Sequence, residues 1–285
     1  MSAALSPPDF DLVAGDVARA LAEDIGSGDV TADLLPDAPA DAFVVCKQPA
    51  VIAGRPWFDA TFRQLDPAVV IHWRVAEGEP VPAGSVLCLL HGRSRALVSG
   101  ERTALNFLQL LSATATTTAA FVAAVQGTRA RILDTRKTIP GLRLAQKYAV
   151  RAGGGGNHRL GLHDAMMLKE NHILAAGSIA AAIAAARARH PGVPLIVEVE
   201  TLAELDQALA GRPERILVDE FSLADLTEAV RRADGKVPLE VSGGVGLDTV
   251  RTLAASGVDC ISVGALTKHV QAVDLSLRLG TPAAP

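Results

Sequence analysis

Six junctions in the last two thirds of the chain put polar or Gly-rich residues directly behind an apolar stretch. They are Asp134-Thr135-Arg136-Lys137, Lys169-Glu170-Asn171-His172, Glu198-Val199-Glu200, Asp219-Glu220, Ser242-Gly243-Gly244 and Gly264-Ala265, the last preceded by Val263. Arg136, Lys137, Arg159 and Lys169, with His158, supply a basic half. Guanidinium groups bind carboxylates and phosphates through two parallel hydrogen bonds, whereas an ammonium acts as a compact point charge. Glu198 and Asp219 supply carboxylates from other junctions, a pair suited to Mg²⁺ shared with substrate oxygens. The bare backbone N–H groups of Ser242-Gly243-Gly244 and Gly264-Ala265 suit a phosphate. The chemistry implied is the handling of an anionic small molecule together with a phosphorylated, Mg²⁺-associated partner. A covalent nucleophile is not expected, because Cys260 lies in an apolar run with no activating base beside it.

Neighbouring residues have plainer readings. Arg143, Lys147 and Arg151 follow helical spacing and read as a solvated helix face. Gly153 to Gly156, just ahead of His158-Arg159, imply close backbone approach to a ligand or a neighbouring strand. Glu170 and His172 either serve the site or cap the helix that follows. His72, His91, His163, His190 and His269 read as structural or surface residues.

Positioning these groups requires strands that end together. Apolar runs at 131–135, 165–168, 195–199, 215–218, 239–241 and 260–263 alternate with helical stretches such as 178–189 and 202–210. Repeated strand–helix units predict a parallel sheet, and their number predicts a closed barrel, with an open doubly wound sheet as the alternative. In a barrel the C-terminal strand ends converge on one mouth. No GxGxxG follows the first strand of a unit, which argues against a dinucleotide fold. The first ~110 residues have another texture. An amphipathic segment at 13–21 and a Gly/Asp turn region at 24–29 precede short strands at 42–47, 69–75 and 85–90, with Pro and Gly between them. Residues 101–125 contain neither Gly nor Pro and predict one long helix ending at Gly127.

Composition sets the outer bounds. Of 285 residues 49% are apolar and only 4% aromatic, so Ala, Val and Leu must fill the core, as layered α/β packing allows. A formal charge of −4 and a pI near 6.0 give no overall attraction to nucleic acid or anionic membrane. Three scattered cysteines without metal-ligand spacing fit a reducing cytosol. The opening MSAALSPPDFDLV shows no basic n-region or long apolar core, and the Ala-rich run 175–188 is interrupted by Gly177, Ser178 and Arg187. Neither a signal peptide nor a membrane span is expected from them.

Several ordered motifs carry a resemblance. They run from Glu23-Asp24-x-Gly26-x-Gly28-Asp29-x-Thr31 through Glu101-Arg102-Thr103-Ala104-Leu105-Asn106 to Asp134-Thr135-Arg136-Lys137-Thr138-Ile139-Pro140-Gly141. Gly153-Gly154-Gly155-x-Asn157-His158-Arg159-x-Gly161-Leu162-x-Asp164, Lys169-x-Asn171-His172 and Gly264-Ala265-Leu266-Thr267 follow. Together they span nearly the whole chain and resemble the quinolinate phosphoribosyltransferase (decarboxylating nicotinate-nucleotide pyrophosphorylase) family.

The resemblance implies an incomplete α/β barrel over 113–270. It also implies an N-terminal α+β open sandwich over 1–112, joined by a C-terminal tail at 271–285. It implies transfer of phosphoribosyl from phosphoribosyl pyrophosphate to quinolinate with decarboxylation, dependent on Mg²⁺. The enzyme would be a homodimer, whose assembly into a hexamer the sequence leaves open, with Arg102 entering the partner's site. Arg102, Arg136, His158, Arg159 and Lys169 would surround the quinolinate carboxylates, with Thr135 beside them. Lys137 would lie near the reacting centre, Glu198 and Asp219 near the ribose and Mg²⁺. Ser242-Gly243-Gly244 and Val263-Gly264-Ala265 would hold the 5′-phosphate. The sequence departs from the family at Glu220, where Asn is usual, and strand alternation leaves only one of Glu198 and Glu200 facing the mouth, with Glu198 favoured. Three rivals stand beside this reading. A molybdenum-transport-associated paralogue lacks the Lys-x-Asn-His pattern; a Schiff-base aldolase would use Lys169; a phosphate-ligand sensor would not turn over.

Overall fold

The computed structural model describes residues 5–282 and divides into two compact units. The first four residues of the expected N-terminal domain and the last three of the expected tail lie outside the described residues. Unit one takes residues up to 119, then 139–154, then the chain from 269; unit two takes 120–138 and 155–268.

Unit one contains helices α1 (Phe10–Ile25), α2 (Arg55–Leu65), most of α3 (Ser94–Ala124) and α4 (Arg143–Ala152). Its strands are β1 (Pro39–Cys46), β2 (Ala50–Val51), β3 (Val70–Trp73), β4 (Pro80–Val81), β5 (Val86–Arg93) and β12 (Leu275–Leu279). Four of them form an antiparallel sheet in the order β12-β1-β5-β3. One sheet face and α3 enclose a core containing Val44, Phe58, Phe62, Leu87, Leu97, Leu105 and Leu108. A second core joins Val13 and Val17 of α1 to Trp57, Leu111, Tyr148 and Ala149. The acidic turn after α1 is structural here: Asp29 accepts the N–H groups of Thr31 and Ala32 and the Ser99 hydroxyl. Those bonds, led by the one from Ala32, hold its carboxyl below the usual range.

α3 begins at Ser94, earlier than the expected start at 101. Gly100 lies inside the helix, and the position takes glycine because an added Cβ would come within 2.8 Å of Phe62 Cε1. The helix is long and apolar enough to cross a membrane, but Leu97, Leu105, Leu108 and Leu111 are spent on the cores of unit one. Lys147 also departs from expectation. It is 1% exposed on α4, so this charged helical spacing does not mark a solvated face.

Unit two contains all six expected strands: β6 (Arg131–Leu133), β7 (Met166–Leu168), β8 (Leu195–Val199), β9 (Arg215–Val218), β10 (Leu239–Val241) and β11 (Cys260–Ser262). Between and after them run α5 (Glu170–Ala176), α6 (Ile179–Arg189), α7 (Leu202–Gly211), α8 (Leu223–Ala233), α9 (Val250–Ala255) and α10 (Ala265–Lys268). Ser178, Thr201 and Ser222 start α6, α7 and α8 by accepting a first-turn N–H, which satisfies one of the orphan donors there.

The strands are parallel in the order β6-β11-β10-β9-β8-β7. From β8 to β11 each lies beside its predecessor in the chain, and β6 lies beside β11. Nothing reverses, so the sheet is wound in one direction like a barrel, not doubly wound. It is not closed, however: β6 and β7 are the two edges. The closed barrel expected from strand number is therefore corrected to an incomplete one. The reason is the chain between those edges, of which residues 139–154 belong to unit one. Gly156 covers the β6 edge by bridging Leu133, a place where a Cβ would meet Leu133 Cδ2 at 2.8 Å. The glycine run thus serves backbone approach to a strand.

Candidate active site

The C-terminal strand ends of unit two enclose a cavity of about 670 Å³. Eleven of the expected residues line it: Thr135, Arg136, Lys137, His158, Arg159, Lys169, Glu198, Asp219, Ser242, Gly243 and Gly244. The ends of five different strands and the loop carrying His158 and Arg159 deliver them, which is why residues 109 positions apart in sequence meet. Four expected residues do not line it. Arg102 is exposed on α3 in unit one, and Val263, Gly264 and Ala265 stand behind the lining. Gly264 still shapes the site, since a Cβ there would lie 3.1 Å from Lys137 Cδ.

The basic wall is built from two segments. After β6, the Thr135 hydroxyl accepts the Lys137 N–H (3.0 Å), and the Lys137 carbonyl accepts the Thr267 hydroxyl (2.8 Å). Buried Asp134 then ties the second segment to the first. Its Oδ1 accepts the His158 N–H at 2.8 Å, and its Oδ2 accepts the Asn157 side-chain amide at 2.6 Å. Arg159 donates toward the Ala165 carbonyl (3.4 Å) and touches Met167 Sδ (3.8 Å). Burial, and then the nearby Arg136 charge, push its guanidinium below the usual value. Asp164 closes this loop by accepting the N–H groups of Leu160 (2.7 Å) and Gly161 (2.9 Å). Burial would raise its carboxyl, but those bonds hold it below the ordinary range.

Lys169 follows β7 and its ammonium donates to Glu198 Oε2 at 2.5 Å. Its backbone N–H donates to His172 Nδ1 at 3.2 Å, so His172 is a capping residue for α5. Glu198 lines the cavity; Glu200 does not, and borders only a neighbouring pocket that it shares with Glu170, Glu204 and Glu198 itself. Burial and the surrounding carboxylates, Glu170 foremost, raise the Glu200 carboxyl. Asp219 follows β9, and Gly243 must be glycine-like twice over. Its φ is +95°, and a Cβ would come within 3.2 Å of Asp219 Oδ1. Glu198 and Asp219 thus stand on adjacent strands, but among the described residues no three His, Cys, Asp or Glu side chains form a metal-holding group.

Sequence reasoning missed one lining residue of consequence. Glu240 sits in the middle of β10, fully buried, with Arg215 on β9 as an ion-pair partner at 2.8 Å. A charge inside a strand of a sheet buried on both faces needs a partner, and Arg215 becomes visible as that partner only in the fold. Glu220 also lines the cavity, in the left-handed region at φ +56°. Asn adopts that conformation more readily than Glu does.

An incomplete barrel of this winding, with cations facing carboxylates at its mouth, defines an α/β enzyme for anionic, phosphorylated small molecules. Profiles for the quinolinate phosphoribosyl transferase N-terminal and C-terminal domains match residues 29–112 and 114–278. The chain is 43% identical to a nicotinate-nucleotide pyrophosphorylase [carboxylating] of Mycobacterium leprae, over 96% of this chain and 100% of that one. The structure of a nicotinate-nucleotide pyrophosphorylase from Francisella tularensis superposes with a TM-score of 0.93 at 43% identity, covering 98% of this chain and 100% of that one. NadC from Streptococcus pyogenes gives 0.93 at 37% identity, over 96% and 99%. The chain belongs to the quinolinate phosphoribosyltransferase family.

Proposed function

We propose that the chain transfers the phosphoribosyl group of phosphoribosyl pyrophosphate to quinolinate and releases CO₂, giving nicotinate mononucleotide and pyrophosphate for NAD biosynthesis. The observation that carries this reading is one cavity in which Arg136, Arg159 and Lys169 face Glu198 and Asp219. A dicarboxylate needs the first group and an electron-poor ribose the second.

Arg136, Arg159 and Lys169, with His158 and Thr135, hold the two carboxylates and aim the ring nitrogen at the anomeric carbon. The C1′–oxygen bond to pyrophosphate breaks as the nitrogen–C1′ bond forms. Glu198 and Asp219 stabilise the positive charge that develops on the ribose, and Lys137 the negative charge leaving with pyrophosphate. Quaternising the nitrogen makes the adjacent carboxylate a leaving CO₂, and the ring carbon takes a proton in its place. The backbone of Ser242-Gly243-Gly244 holds the 5′-phosphate, while Gly264, outside the lining, keeps room for the Lys137 stem. Two carboxylates without a third protein ligand suit Mg²⁺ shared with substrate oxygens: Glu198 and Asp219 would hold it, and it would supply charge neutralisation for the leaving group.

Exposed Arg102 would complete the site of a second copy in a homodimer. Three free, buried cysteines favour a reducing cytosol. The Schiff-base alternative is disfavoured because Lys169 is paired with Glu198, whereas such amines are activated in apolar or cationic surroundings.

Quinolinate with phosphoribosyl pyrophosphate and Mg²⁺ is expected to yield CO₂ and nicotinate mononucleotide. Product from nicotinate but none from quinolinate would overturn the assignment. Arg102→Ala is expected to inactivate, and demonstrated heterodimers with Lys169→Ala to regain shared sites; heterodimers without activity would refute the shared arginine.

A further inference from the structure

We propose that Glu240 is a positioning residue for the transfer, fixing the His158 imidazole with its proton on Nε2 and its ring as a neutral wall of the cavity.

A carboxylate buried in a strand is costly unless charged or polar partners surround it. Glu240 has one of each. Arg215 NH1 lies 2.8 Å from Oε2, and His158 Nε2 lies 3.3 Å from Oε1. Burial would raise the Glu240 carboxyl, but these partners hold it below the ordinary range, so it stays an anion.

The opposite side of the imidazole bears on its tautomer as well. The Arg159 backbone N–H donates to His158 Nδ1 at 2.7 Å. A backbone N–H can only donate, so Nδ1 carries no hydrogen, and the ring proton belongs on Nε2, facing Glu240. Asp134 meanwhile holds the His158 backbone N–H. One carboxylate fixes the main chain and the other the ring. His158 and Glu240 both line the cavity, while Arg215 stands on its far side. His158 therefore enters the anion-binding wall without a charge, and Arg136, Arg159 and Lys169 are its cations.

Only a carboxylate can serve both neighbours. A glutamine at 240 has one acceptor for two donors. If its oxygen faces Arg215, its amide meets Nε2–H; if its oxygen faces His158, its amide meets a guanidinium. Removing the guanidinium as well ends the conflict.

The test uses the full-length protein carrying ¹⁵N-histidine, with the His158 ring signals assigned by their loss in His158→Gln. In the parent protein the shifts should report a protonated Nε2 and a bare Nδ1. In Glu240→Gln that single tautomer should be lost, and in Glu240→Gln/Arg215→Met it should return. In steady-state assays, an inference resting on the proposed quinolinate site, Glu240→Gln should raise the quinolinate KM about tenfold while kcat changes less than about threefold. The double variant should recover most of that loss. A parent His158 protonated on Nδ1, ring shifts unchanged by Glu240→Gln, or an unchanged KM in that variant would each overturn the proposal. The parent spectrum decides the matter even if a variant does not fold. Absence of turnover by the parent would count against the proposed reaction alone, because the ring shifts need no substrate.

Discussion

Lys169 Nζ donates to Glu198 Oε2 across 2.5 Å, joining the ends of two adjacent strands inside the cavity. The ammonium belongs to the wall that receives an anion, and the carboxylate to the side that faces a cationic transition state. Without ligand each occupies the other. Glu198→Gln should remove that competition. Quinolinate alone should then bind up to about fivefold more tightly, roughly the 1 kcal/mol that a half-exposed pair contributes. Transfer should nevertheless fall by at least about 100-fold, because the stabilising charge is gone. Calorimetry and initial rates on one preparation would show both.

Lys137 rests against Gly264, where the backbone leaves room for its stem. Lys137→Ala should lower kcat by roughly 100- to 1,000-fold while quinolinate affinity stays within about threefold. Gly264→Ala should produce a milder form of the same defect by displacing that stem. Loss of affinity with kcat retained would make Lys137 a binding residue instead.

Asp134 uses separate oxygens for the His158 N–H and the Asn157 amide. Asp134→Asn must turn an N–H₂ toward one of these donors. A loss of about 1–3 kcal/mol in stability is expected. Thermal unfolding should show it, together with weaker quinolinate binding from a displaced Arg159.

Glu220 holds a left-handed backbone at φ +56°. Glu220→Asn should relieve strain of about 0.5–1 kcal/mol and raise the melting temperature slightly. An unchanged or lower melting temperature would mean that the glutamate side chain offsets its own strain.

The six strands of unit two were legible because each apolar run ends at a polar junction, the property that also marked the cavity. What stayed hidden depended on three-dimensional neighbours. Strand alternation assigns Glu240 an outward face, but β10 has none, since all three of its residues are buried. Gly100 reads as a helix boundary until Phe62 is placed against it. Lys147 has the spacing of a solvated residue and the burial of a core one. Strand count could not reveal the open seam between β6 and β7, because the intervening chain decides it.

Both sheets depend on chain that is synthesised late. β1, at 39–46, gains its outer neighbour only from β12 at 275–279, and β6, at 131–133, pairs with β11 at 260–262. A nascent or truncated chain therefore lacks an edge partner in each unit at once, and the long-range pairing must wait. The order of translation thereby acts as a clock: the cationic wall that starts at β6 cannot be set in its sheet before residues 260–262 have been made.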